Sequence, residues 1–440
     1  MSRISADKVH EVMKRYTIGD GMDIVYDHEK SHGSYLYDAK RDKEFLDLFT
    51  FFASIPIGHN HPKMMDDDFL AHLKEVAINK PSNSDIYTRE LAEFTETFAN
   101  IPAPDYMKHF FFISGGALAV ENALKVSMDW KVRKNFNKGY DEEVGHQVIH
   151  FEDAFHGRTG YTLSLTNTFD PRKYQYFTRF KWPRIDVPKL TFPVTEDVLE
   201  RVRMEESEAI NQINEAIEKN EDDINSLIIE PIQGEGGDRH FRPEFMQKLR
   251  KICDENEIMF VLDEVQSGMG ITGKWWAHQH YGFEPDIVAF GKKSQVCGIM
   301  ANERVEEVDH HCFEESSRIN STWGGNLVDM VRSQKYLEII DEENLVKNAE
   351  KIGNYLKKGL LELQEEHEEV TNVRGKGLMC AFNLPSTEQR DELKDKLLKN
   401  DLLVLKSGER AIRFRPPLNL TEEEVDKAMG ILEKSLKKCL

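Results

Sequence analysis

The chain is poor in the features that would assign it to several large classes of protein. Its five cysteines, Cys253, Cys297, Cys312, Cys380 and Cys439, are scattered and contain no C-x-x-C pair. An odd, unpaired set excludes a disulfide framework and reads as the reduced thiols of a cytoplasmic protein. No apolar run approaches the roughly 20 residues needed to span a bilayer. The opening residues, Met-Ser-Arg-Ile-Ser-Ala-Asp-Lys, lack the apolar core of a signal peptide, so a soluble protein is expected. Positive charge is in deficit: 58 Lys and Arg face 78 Asp and Glu, for a net charge of −20. That balance argues against general affinity for nucleic acid or anionic membranes. There is no G-x-S-x-G elbow and no Walker-type phosphate loop. The neighbouring histidines His59 and His61, His278 and His280, and His310 and His311 have no second ligand pair at metal-site spacing, so no metal is expected.

What the chain does have is apolar material: 40% hydrophobic and 10% aromatic residues in 440. This is enough for two or three packed units. The first hundred residues are mixed, with strand-like pieces at Tyr35–Asp38 and Phe45–Phe49, a turn at Gly58–Pro62 and a helix around Thr88–Phe98. A regular alternation then begins. Strands are expected at His109–Ile113, Val148–Glu152, Ser226–Pro231, Ile258–Glu264 and Asp286–Phe290, with helices at Ala117–Arg133, Glu196–Asn220 and Pro243–Asn256. Nearly continuous Val, Ile, Leu and Phe runs between amphipathic helices predict a parallel sheet buried on both faces. Beyond residue 345 the texture becomes α+β. Helices at Leu345–His367, Thr387–Asn400 and Thr421–Lys438 enclose strand-like pieces at Val370–Arg374, Gly377–Phe382, Leu402–Leu405 and Ala411–Phe414.

The most informative stretch runs from Phe260 to Lys293. One apolar strand ends in Asp263, and a second ends in Lys292 or Lys293. If the two strands are neighbours, a carboxylate and an amine reach the same sheet edge, where open α/β sheets bind ligands. Pyridoxal phosphate needs both: an amine for its aldehyde, and an acid to keep its ring nitrogen protonated. Ser114-Gly115-Gly116-Ala117, between a strand and a helix, offers small residues and a helix N-terminus for a phosphate. In Glu152–Arg158, Phe155 could stack on a planar ring and Arg158 could pair with a substrate carboxylate. The G-x-G-x-x-G at Gly268, Gly270 and Gly273 suggests a dinucleotide site. However, it follows Asp263 and Glu264, whose charge opposes a pyrophosphate, and it leads into Lys-Trp-Trp with no clear helix entry.

Taken together, these residues resemble the class III, or ω-, aminotransferases, pyridoxal-phosphate enzymes of fold type I. The likeness runs from Phe45-Leu46-Asp47 and Gly58-His59-Asn60-His61-Pro62 to Arg413-Phe414-Arg415-Pro416-Pro417-Leu418. It is carried by Glu230-Pro231-Ile232-Gln233-Gly234-Glu235-Gly236-Gly237, Asp263-Glu264-Val265-Gln266-Ser267-Gly268, the strand before Lys292, and Thr322-Trp323-Gly324-Gly325-Asn326. The resemblance implies an α/β fold, a large domain with a mostly parallel central sheet and a small α+β domain from both chain ends. The expected boundaries are 1–75 for the N-terminal part of the small domain, 76–344 for the large cofactor-binding domain and 345–440 for the C-terminal part.

By the same resemblance Lys292 is the Schiff-base lysine and Asp263 the partner of the ring nitrogen. Gln266 lies near the ring hydroxyl, Phe155 stacks on the ring, and Gly116 and Ala117 hold the phosphate. Thr322 reaches the phosphate of a second subunit, implying a homodimer with shared sites. Arg158 binds a distal carboxylate, Arg413 binds an α-carboxylate, and Glu235 neutralises Arg413 when lysine is bound. Lys292-Lys293-Ser294-Gln295, the loop Gly-Gly-Ala-Leu-Ala and Trp323 depart from the commonest pattern. These departures resemble the lysine 6-aminotransferase subgroup. The implied reaction moves the ε-amino group of L-lysine to 2-oxoglutarate, giving 2-aminoadipate 6-semialdehyde and L-glutamate. The alternative is a 4-aminobutyrate, ornithine or other ω-amine donor on the same scaffold.

Overall fold

In the computed structural model, residues 4–437 are described. Lys438, the expected end of the last helix, and Cys439 lie outside them. The apolar runs form a seven-stranded sheet in the order Met107–Ile113, Cys297–Asn302, Ile287–Phe290, Met259–Asp263, Ile224–Ile229, Gln147–Phe151 and Arg184–Ile185. From Ile287–Phe290 to Arg184–Ile185 every pairing is parallel. Cys297–Asn302 runs antiparallel to both of its neighbours.

Successive side chains of a strand point to opposite faces, so a continuous apolar run means that both faces are covered. Val261, Ile287 and Ala289 pack on one face with Ala119, Ala123 and Trp130 of the helix Gly116–Asn137. Phe260, Leu262, Val288 and Phe290 pack on the other face with Phe245, Met246 and Leu249 of the helix Pro243–Glu255. That second helix starts on a proline, whose missing N–H costs nothing in the first turn.

The two ends of the chain meet. Lys43–Asp47 pairs antiparallel with Tyr35–Asp38 and parallel with Leu402–Leu403, so the early strand is completed by one from the last tenth of the sequence. A second antiparallel sheet follows the order Thr371–Lys376, Met379–Asn383, Ala411–Arg413, Leu405–Ser407. Its core joins Leu356, Leu360, Phe382, Ile412 and Leu432 to Leu46 and Leu48. The fold is therefore the expected α/β arrangement with a smaller α+β unit built from both termini. Among the described residues no helix is long and apolar enough to cross a membrane.

Several elements were not expected from sequence, among them the helix Asp67–Ala77 and two elements of the large unit. Cys297–Asn302 is a buried strand, although its Gly and Ala make a weak strand pattern. Leu327–Glu342 is a helix whose buried residues, from Leu327 and Met330 to Ser333, Tyr336 and Ile340, spread around its circumference. No single apolar stripe marks such a helix in the sequence. The decoy glycines serve packing. A Cβ on Gly268 would lie 2.7 Å from the Trp276 ring, and Gly270 and Gly273 adopt φ of +90° and +84° in a buried turn.

Candidate active site

The strands Met259–Asp263 and Ile287–Phe290 are direct neighbours, with Asp263 opposite Ala289. Their carboxyl ends therefore bring Asp263 and Lys292 to one edge of the sheet. Both line a cavity of about 600 Å³ together with Phe155, Gly116, Ala117 and Glu235. Lys292 has φ of +55°. A non-glycine residue held there stores on the order of 1–3 kcal/mol, a cost typically met at functional positions. Burial, reinforced by the nearby Arg413 and Arg415, pushes the Lys292 amine down to about 8, despite the opposing carboxylates of Asp263 and Glu230.

The adjacent Lys293 is directed elsewhere. It is buried, and its Nζ donates to the carbonyl of Gln266 at 2.6 Å. Burial and the charge of Lys292 hold its amine well below the ordinary lysine range.

Asp263 is buried and accepts from His156 Nδ1 at 2.8 Å and from the Val265 N–H at 3.1 Å. His156 Nε2 is buried without a protein partner. Glu230 accepts from the N–H groups of Phe155 at 3.1 Å and Gly234 at 3.0 Å. Burial raises its carboxyl to about 7. In this way Glu230 ties the Phe155 segment to the Gly234–Gly237 loop.

Gly115, at φ +109°, opens the helix Gly116–Asn137, and no side chain caps that helix. A Cβ on Gly115 would meet no atom within 4 Å, so the uncapped N–H groups of the first turn border open space. Gly157, at φ +130°, lets the Phe155 segment approach: its Cβ would lie 2.5 Å from that of Ala117.

Gln266 Oε1 accepts from Arg413 Nη1 at 3.2 Å and Arg415 Nη2 at 2.7 Å. Arg415 also makes a buried two-point pair with Asp238, at 2.9 and 2.7 Å. Arg413 Nη2 donates to Glu235 Oε2 at 2.8 Å, while Arg413 Nε is buried and unpartnered. Burial would raise the Glu235 carboxyl, but Arg413 and Lys173 outweigh it and hold the group below its ordinary range. Arg158 is exposed at the cavity, its guanidinium 5.9 Å from the Phe155 ring centre. Thr322 is exposed and lies outside this cavity within one chain.

The close histidine pairs diverge. His59 Nε2 meets Asp47 at 3.0 Å, His61 meets Glu343 at 3.3 Å, and His278 meets Glu264 at 2.7 Å. Glu264 also accepts from the N–H groups of Ala277 and His278 and from the Ser267 hydroxyl.

Residues 18–436 match the family described as aminotransferase class-III. The chain is a class III aminotransferase. An L-lysine-epsilon aminotransferase of Mycobacterium tuberculosis is 49% identical over 432 residues, covering 98% of this chain and 95% of the relative. The human mitochondrial 4-aminobutyrate aminotransferase is 30% identical, over 95% of this chain and 86% of its own. A solved structure of lysine aminotransferase from M. tuberculosis matches with a TM-score of 0.97 at 48% identity, covering 99% of this chain and 100% of that one.

Class III aminotransferases work with pyridoxal 5′-phosphate, and the residues of this aminotransferase fit it. An amine, a buried carboxylate, an aromatic ring and an uncapped helix N-terminus facing open space all surround one cavity. Several side chains of the site and its surroundings were missed as individuals by sequence reading, among them His156, Glu230 and Lys173. The first two stood inside the motifs already noted, whereas Lys173 stood in none.

Proposed function

We propose that the chain transfers the ε-amino group of L-lysine to 2-oxoglutarate, releasing 2-aminoadipate 6-semialdehyde and then L-glutamate. The observation that carries this reading is the Glu235–Arg413 pair at 2.8 Å, with Arg413 buried and Glu235 partly exposed. An unpaired arginine there would capture the α-carboxylate of lysine and present the wrong amine. With Glu235 on it, that cation is silenced and lysine enters by its far end. When 2-oxoglutarate binds, its α-carboxylate takes Arg413 and Glu235 moves aside. Arg158 holds the carboxylate at the distal end of each substrate. The identity with lysine aminotransferases over nearly the whole chain supports the same donor.

When bound, pyridoxal phosphate supplies an aldehyde carbon that captures the amine and a protonated ring that accepts an electron pair. The protein does the rest. The N–H groups of Gly116 and Ala117 hold the phosphate, and Phe155 packs on the ring face. Asp263, oriented by His156, holds the proton at the ring nitrogen. Lys292 Nζ, with its lowered basicity, takes a proton from Cε of lysine and returns it on the cofactor side. Gln266, its Oε1 committed to the arginines, has its Nε2 left to donate to the ring hydroxyl. Thr322 serves the phosphate of a second copy, which makes the working unit a homodimer; its exposure in one chain supports this. The reduced cysteines fit a cytoplasmic setting.

The test is a panel of donor half-reactions with L-lysine, L-ornithine and 4-aminobutyrate, followed by loss of the cofactor's visible band. The greatest kcat/KM belongs to lysine on this reading. A greater value for ornithine or 4-aminobutyrate would replace lysine with that donor.

A further inference from the structure

Glu235 has a second cation. Its Oε2 meets Arg413, while its Oε1 accepts from Lys173 Nζ, so one carboxylate bridges two positive charges. The two come from distant parts of the fold: Lys173 ends the short turn Pro171–Lys173, and Arg413 ends a strand of the C-terminal sheet. Lys173 Nζ also stands 5.6 Å from the centre of the Phe155 ring, at the cavity wall. Its side chain is 14% exposed, so this is a largely desolvated ion pair and not a surface contact.

We propose that Lys173 is a positioning residue that retains Glu235 when it leaves Arg413, and so sets how readily the site accepts 2-oxoglutarate. The inference rests on the gating role proposed above for Glu235. A partly buried carboxylate released from its arginine with no other partner is costly. Lys173 removes that cost, because Oε1 keeps its contact while Oε2 turns away. The four-carbon lysine stem is flexible enough to follow the movement. The Glu235 backbone meanwhile stays fixed, since its carbonyl accepts from the Gly408 N–H at 2.9 Å. With Lys173 removed, Glu235 keeps a partner only in the closed position. The gate is then biased shut, against the acceptor and not against lysine.

The test measures both half-reactions separately on holoenzyme for Lys173→Met, Lys173→Arg and Glu235→Gln, and for Lys173→Met combined with Glu235→Gln. Loss of a hydrogen bond between charged groups predicts that Lys173→Met lowers kcat/KM for 2-oxoglutarate about tenfold more than kcat/KM for lysine. Much of that loss is expected in KM. Lys173→Arg should restore most of it, and the selectivity should vanish in the Glu235→Gln background. Equal loss in both half-reactions, or selectivity that persists without Glu235, overturns the role of Lys173. If Glu235→Gln alone impairs both half-reactions equally, the gate itself fails and the inference fails with it.

Discussion

His156 Nδ1 lies 2.8 Å from Asp263 Oδ2, although 107 residues separate them in the chain. The carboxylate accepts, so Nδ1 carries the hydrogen and the imidazole fixes the direction in which Asp263 points. The expected outcome for His156→Phe is a kcat/KM about 10- to 100-fold lower, from the loss of one hydrogen bond to a charged group. Steady-state kinetics at neutral pH checks this. Unchanged activity would show that the Val265 N–H alone orients Asp263.

Of the paired lysines, only Lys292 lines the cavity, because Lys293 donates to the Gln266 carbonyl. Lys292→Ala is expected to abolish the visible absorption of covalently held cofactor and nearly all turnover. Lys293→Met should keep the colour while weakening the Gln266 loop. Absorption spectra of the two purified variants decide between them; retained colour in Lys292→Ala would reverse the assignment.

With Lys292 as the cofactor-binding amine proposed above, recombination of cofactor-free protein with pyridoxal phosphate needs the neutral form of its Nζ. Burial lowers that amine from 10.5 to about 8, so its neutral fraction grows as pH rises and saturates above 8. The recombination rate should therefore climb through pH 7 and 8 and level off near 9. Stopped-flow absorption across that range provides the measurement. A rate still climbing steeply at pH 10 would mean that the amine is unperturbed.

Gly234 has no room for a side chain. A Cβ there would lie 2.2 Å from Gln266 Oε1, an atom already held by Arg413 and Arg415. Gly234→Ala should destabilise the fold by about 1–3 kcal/mol, as overpacking does, and lower affinity for 2-oxoglutarate. Thermal unfolding and the acceptor KM report the two effects independently.

Much of this site was legible in the sequence because it is local. Asp263 and Lys292 stand at the ends of apolar runs, and the Ser114–Ala117 turn stands between a strand and a helix. Pattern and period locate such strand ends and turns, but leave Lys292 and Lys293 open; the family resemblance is what singles out Lys292. The parallel pairing of the strands that carry Asp263 and Lys292 made the conditional reading of that stretch hold. The contacts between segments were not legible. Nothing near His156 in sequence announces Asp263, and Glu230 shows its hold on Phe155 and Gly234 only once the chain is folded. Lys173 sits in a polar turn with Asp170 and Arg172, where a lysine reads as a solvated charge. The strand Cys297–Asn302 escaped because its small residues suit a position wedged between two other strands better than they advertise one.

Gln266 couples parts of the site that substrate engineering would like to treat separately. Its side-chain oxygen is held by two arginines of the C-terminal unit and its backbone carbonyl by Lys293, next to Lys292 at the cavity. A replacement at Arg413 made to admit a different acceptor will also release one of the restraints on Gln266. Mutations at 235, 266 and 413 should therefore be non-additive. Libraries that vary the three positions together will reach new acceptors that stepwise substitution, passing through poorly aligned intermediates, misses.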